Sequence, residues 1–94
     1  MNAIEILKNN EELIKQKYGV KRIGIFGSFA RNEEKEESDV DILVEFESDF
    51  ETFDNYIELK YFLEDLFRRK VDLVTSEALR PQLKDEILKE IMYA

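Results

Sequence analysis

Apolar residues recur at helical spacing near the start of the chain. Ile4, Leu7, Ile14 and Tyr18 are separated by Glu and Lys. That period predicts one amphipathic helix over residues 2–18. Asn2 suits its N-cap, Glu5 stands at capping-box spacing, and Gly19 suits its end. The pattern then changes. Val20, Ile23, Ile25 and Phe26 are β-formers, so residues 20–26 read as a strand, with Gly24 marking a bulge or a close backbone approach. Gly27-Ser28-Phe29-Ala30-Arg31 follows as a turn that opens a short helix, and Asn32 to Ser38 is a polar, solvated loop. Residues 39–46, DVDILVEF, alternate and then run apolar, as a strand through a core does. Residues 53–68 fit a helix capped by Thr52 or Asp49, with Phe53, Tyr56, Ile57, Leu63, Leu66 and Phe67 on a broad apolar face. KVDLV, residues 70–74, is a short strand. Residues 76–93 predict a last helix with Pro81 in its first turn. Leu79, Leu83, Ile87, Leu88 and Ile91 form its stripe, and Lys84, Glu86, Lys89 and Glu90 its solvated face.

The predicted order is α-β-α-β-α-β-α. It implies an α/β (α+β) fold, with helices on a small mixed sheet of three strands, or four. With 94 residues, four Gly and Pro in all and no repeats, the expectation is a single domain spanning residues 1–94.

Composition narrows the chemistry. The chain has no His, no Cys and no Trp. Disulfides, zinc fingers and His- or Cys-based nucleophilic catalysis are therefore excluded within this chain. Any catalysis falls to carboxylates, acting through a hard cation with oxygen ligands. The net charge of −8 argues against a nucleic-acid partner and suits a basic protein. Acids in the first turns and the lack of any long apolar run argue against a secretory signal or a membrane span, so the expected location is cytoplasmic.

Three acids stand at strand starts. Asp39 and Asp41 are two apart, so a strand aims both at one side while Val40 points into the core. Asp72 reaches the same edge if its strand lies parallel beside theirs. If the first strand runs antiparallel to the second, Gly27-Ser28 ends there too. Converging carboxylates repel unless a cation neutralises them, which points to Mg²⁺ or Mn²⁺. A Gly turn opening a helix offers N–H groups to phosphate, and Ser28 adds a hydroxyl. Anion donors facing a metal site describe a site for a nucleoside triphosphate.

Gly27-Ser28, ten intervening residues and Asp39-Val40-Asp41 resemble the GSX10DXD signature of the DNA polymerase beta-like nucleotidyltransferase superfamily. The string GSFARNEEKEESDVDILVEF resembles its minimal nucleotidyltransferase (MNT) group, and Asp72 follows an intervening helix, as in that group. The resemblance covers most of the chain. It implies an antitoxin that pairs with a HEPN-domain RNase toxin and moves AMP from ATP onto a tyrosine of that toxin. By the same resemblance, Gly27 and Ser28 hold the triphosphate, and Asp39 and Asp41 ligate two Mg²⁺ ions. Asp72 ligates the ion nearer the acceptor and helps deprotonate its hydroxyl. Arg31 supports the phosphates or the turn, the other reading being a surface ion pair with Glu33 or Glu34. Asn32 stands where many relatives carry Gly, which bears on loop conformation.

Two other functions fit the same residues. One is a toxin-binding module without catalysis; the other is the catalytic subunit of a small-molecule nucleotidyltransferase. Size favours a protein acceptor, because larger relatives carry extra domains to bind theirs. The aromatics of residues 50–67 exceed what one helix face buries, so Tyr61 and Phe62 are candidates for a protein interface.

Overall fold

A computed structural model describes residues 2–94. It contains helices α1 (Ala3–Asn9), α2 (Glu11–Tyr18), α3 (Phe53–Phe67) and α4 (Pro81–Glu90), and strands β1 (Val20–Phe26), β2 (Val40–Phe46), β3 (Val71–Thr75) and β4 (Met92–Tyr93). The strands form one mixed sheet in the order β3-β2-β1-β4. β1 runs antiparallel to β2 and to β4, and β2 runs parallel to β3.

Period-two alternation sorts the strand residues between two faces. Ile23 and Ile25 of β1, Val40, Ile42 and Val44 of β2 and Leu73 of β3 are buried in one core with Leu7, Ile14, Leu59 and Leu63 of the first three helices. The alternate residues Arg22, Gly24, Asp41, Leu43, Glu45 and Asp72 therefore share the other face, which α4 and the turn leading into it partly cover.

Several boundaries differ from the pattern. The predicted helix over 2–18 is two helices, broken at Asn10. There the Asn10 side chain donates to the Ile6 carbonyl at 2.8 Å and its backbone N–H to the Leu7 carbonyl, closing α1. Apolar periodicity survives the break, which is why it is invisible to a periodicity count. Asn2 caps α1 as expected, accepting from the Glu5 N–H at 3.3 Å. Thr52, not Asp49, caps α3 by accepting from the Asn55 N–H. The predicted helix over 76–93 is a 3₁₀ turn (Ser76–Ala78), then α4, then β4, so the element order ends on a strand and the sheet has four. Pro81 does open α4. No residue of α4 is buried, and Leu83 and Leu88 are 49% and 44% exposed, so the predicted stripe covers the sheet only loosely. Phe53 is 71% exposed rather than core; it is the first residue of α3, more than a turn ahead of the helix's first buried residue, Leu59. Tyr61 is exposed, while Phe62 packs on Tyr18 with ring centroids 5.6 Å apart. Among the described residues no helix is long and apolar enough to cross a membrane.

Candidate active site

The topology gathers the predicted site residues at one end of the open face. Asp41 pairs in register with Phe26, the last residue of β1, and across the parallel ladder with Asp72. Adjacent strands lie about 4.8 Å apart, so these two acids are near neighbours. Asp39 is exposed and immediately precedes β2; Asp72 is exposed on β3; Asp41 is half-buried. Val40 between them is fully buried and fixes the strand.

The turn after β1 is a 3₁₀ turn over Gly27–Phe29, shorter than the helix expected there. Gly27 is required by geometry. Its φ of +76° disfavours other residues, and a Cβ there would meet Asp41 Oδ2 at 2.1 Å. The Asp41 carboxylate thus lies directly against the glycine turn. Ser28 is half-buried within that turn. A 3₁₀ segment leaves its first N–H groups without intrahelical partners, and these are the donors a phosphate would use.

Arg31 is engaged by two carboxylates. Its Nε donates to Glu33 at 2.7 Å and its Nη1 to Glu90 at 2.9 Å. It braces the turn in this structure. Glu90 also accepts from the Gly27 N–H at 3.0 Å. The guanidinium of Arg31 and that N–H hold the Glu90 carboxyl below its ordinary value. Glu90 is therefore not a plain solvated residue.

The loop before Asp39 is also less free than its composition implies. Arg69 donates to the carbonyls of Lys35, Glu36 and Ser38, at 3.3, 2.7 and 3.1 Å, and its guanidinium lies over the Phe29 ring. Asn32 adopts φ 57°, a left-handed value that Asn tolerates better than most residues. Glycine suits that position for the same reason. Glu90 and Arg69 were missed as site residues because their partners lie far away in the chain. The only sequence signal was a basic triplet, Arg68-Arg69-Lys70, without a direction.

Electrostatics separates Asp41 from its neighbours. Burial pushes its carboxyl up to about 6, the charges of Asp72 and Asp39 add to this, and Arg31 opposes it. Like charges at close range are undercompensated here, which is the condition a bound cation relieves. Among the described residues, however, no group of three or more acids stands close enough together to hold a metal ion. The donor set fits a hard divalent cation in chemistry, but the carboxylates are not drawn into a finished cage. A separate hollow of about 310 Å³, lined by Val44, Phe53, Tyr56 and Glu77 among others, lies at the opposite ends of β2 and β3.

The structure thus places a carboxylate edge beside a glycine turn, on a four-stranded mixed sheet. Comparisons with known proteins give the class. The family model described as "Nucleotidyltransferase domain" matches residues 7–94, and the chain belongs to that family, in its MNT-type branch. The chain is 41% identical over 88 residues to the protein adenylyltransferase MntA of Thermococcus cleftensis, covering 94% of this chain and 88% of the relative. It is 44% identical over 91 residues to a protein of Methanocaldococcus jannaschii named as a candidate protein adenylyltransferase, covering 95% and 91%. Among solved structures, a candidate minimal nucleotidyltransferase superposes with a TM-score of 0.81 at 34% identity, covering 98% of this chain and 95% of that one. A tri-AMPylated Shewanella oneidensis HEPN toxin in complex with MNT antitoxin gives a TM-score of 0.67 at 22% identity, covering 99% and 71%, a likeness of fold.

Proposed function

We propose that this nucleotidyltransferase moves AMP from ATP onto a tyrosine hydroxyl of a partner protein, a HEPN-domain toxin, and so acts as its antitoxin. The observation that carries the reading is the cross-strand register of Asp41 with Asp72 and the Asp41 carboxylate lying against the Gly27-Ser28 turn, with Asp39 one residue before β2. The 94 residues act as one domain, in the cytoplasm. The names of the relatives and the fold shared with HEPN/MNT complexes support the choice of acceptor.

In this reading the tyrosine oxygen attacks the α-phosphorus of ATP. A new O–P bond forms as the bond from the α-phosphorus to the bridging oxygen breaks. Pyrophosphate leaves with that electron pair, and the hydroxyl proton passes to Asp72 and on to water. Ser28 and the backbone N–H groups of its turn hold the triphosphate. Arg31 keeps the turn in place. Asp39, Asp41 and Asp72 would be the residues to hold Mg²⁺ or Mn²⁺ ions. Such cations, when bound, would supply stabilisation of the negative charge that builds up in the displacement. The rigid apolar run Ile42–Val44 behind Asp41 keeps the carboxylates in register.

The test is incubation of the chain with labelled ATP, Mg²⁺ and a HEPN-domain toxin from the same genome. AMP on a toxin tyrosine, lost in Asp39→Asn/Asp41→Asn and on chelation with EDTA, is the expected result. The uncollected acids keep a second reading alive, an antitoxin that acts by binding alone. Unchanged neutralisation by the double variant, with no label transferred, would establish that reading instead.

A further inference from the structure

We infer that Glu90 is a positioning residue of the nucleotide site, setting the Gly27-Ser28 turn from the far end of the chain. The inference rests on the reading of that turn as the triphosphate cradle.

The placement follows from the sheet. β4 pairs with β1 through Gly24↔Tyr93 and Ile25↔Met92. Continuing that antiparallel register along β1 brings Glu90, the last residue of α4, opposite Gly27. The register is pinned at two places along β1, both just before this point. The Ala94 N–H donates to the Ile23 carbonyl at 2.9 Å. At Gly24 a Cβ would stand 2.9 Å from Ile91 Cγ1 and 3.0 Å from the Met92 carbonyl oxygen, so only glycine lets β4 approach this closely. Glu90 is held where it is by backbone, not by chance packing of a long side chain.

Its two oxygens do different things. Oε1 takes the Gly27 N–H at 3.0 Å, and Oε2 takes Arg31 Nη1 at 2.9 Å. The first bond removes one N–H from those facing a phosphate and fixes the plane of the turn. The Gly27 carbonyl meanwhile accepts from the Ala30 and Arg31 N–H groups. The turn is therefore tied at both faces of one residue, and the Ser28 N–H and hydroxyl follow as the first unclaimed donors. The second bond holds Arg31 beside the turn and balances a carboxylate that otherwise adds negative charge next to Asp41. A negative group placed there works against the acids of the site. Its double hydrogen bonding, to a backbone N–H and to a guanidinium, is what offsets that.

The experiment measures the dissociation constant of Mg·ATP by isothermal titration calorimetry, with the melting temperature of each variant. Glu90→Ala is expected to weaken Mg·ATP about tenfold, the scale of one hydrogen bond to a charged group. Glu90→Gln keeps an acceptor for Gly27 and loses the negative charge that faces Arg31, so it is expected to weaken binding by about threefold. Both are expected to melt within a few degrees of the parent. Parent-like affinity in Glu90→Ala overturns the inference. So does a fall in affinity that only tracks a fall in melting temperature, since Glu90 then serves the fold. If Glu90→Ala does not fold, Glu90→Gln decides: about threefold weakening supports the inference and parent-like affinity overturns it. Absence of Mg·ATP binding in the parent protein itself overturns the nucleotide reading of the site, a result separable from all of these.

Discussion

The two faces of the sheet are built on opposite terms. Against α1, α2 and α3 the strands present Ile23, Ile25, Ile42 and Val44, and the helices answer with Leu7, Ile14, Leu59 and Leu63, all at most 1% exposed. Against α4 nothing on the helix is buried, and Leu83 and Leu88 remain about half open. The closed face holds the fold. The open face carries Asp41, Asp72 and the glycine turn, where polar groups need solvent and a ligand must enter. A sheet packed on both sides would bury Asp41 entirely, at the cost of an unpaired carboxylate. Leaving one face loosely covered removes that cost and exposes the site.

Truncation on the closed face should show the largest effect. Leu63→Ala removes a fully buried side chain from the centre of the core and is expected to cost about 2–5 kcal/mol in urea melts. A loss below about 1 kcal/mol would mean that the closed face is not the source of stability. Gly24→Ala probes the point where the open face is tight. The new Cβ meets Ile91 and the Met92 carbonyl, so β4 must shift, at an expected cost of about 1–3 kcal/mol. Hydrogen exchange at the Ala94 amide should accelerate in that variant. If it does not, β4 is held by something other than its pairing with β1.

The open face was partly legible in the sequence. The spacing from Gly27-Ser28 to Asp39-Val40-Asp41 is local, and strand alternation carries it into space without knowledge of the rest. Asp72 needed one further assumption, a parallel third strand, which the intervening helix α3 supplies. Glu90 could not be read in the same way. It is 63 residues from Gly27, and β4, which sets its register, is two residues long, too short for any pattern. Helical spacing also misjudged Leu83 and Leu88. Periodicity reports which side of a helix is apolar, not whether anything closes over it.

Asp41 offers a prediction in which the open face gains stability. Its ordinary carboxyl value of 3.8 is raised to about 6, first by burial and then by Asp72 and Asp39. A folded chain that holds this proton more tightly than the unfolded chain is most stable below the unfolded value. That stability is lost as pH rises through about 6. At pH 7 the ionised group is a net cost, and Asp41→Asn removes it. After discounting for solvent screening at this half-open position, the expected gain is about 1 kcal/mol at pH 7, vanishing near pH 4. Mg²⁺ should raise the melting temperature of the parent more than that of the variant. Equal stability differences at both pH values would show that repulsion at the site is not the cause.

Leu83→Ala is the smallest effect and the sharpest check on the asymmetry. Leu83 belongs to the same apolar stripe of α4 that helical spacing marks as core, yet it is 49% exposed. Only the part of its surface already removed from water can be lost, and no closed cavity is left behind, so the transfer contribution is partial and the cavity contribution is absent. Alanine is also the better helix former, which returns a few tenths of a kcal/mol. The expected net change is below about 1 kcal/mol, several times less than for Leu63→Ala. A cost equal to that of Leu63→Ala would mean that α4 closes over the sheet in solution. Asp41 and Asp72 would then be reached only when α4 lifts, and α4 would be a lid on the open face.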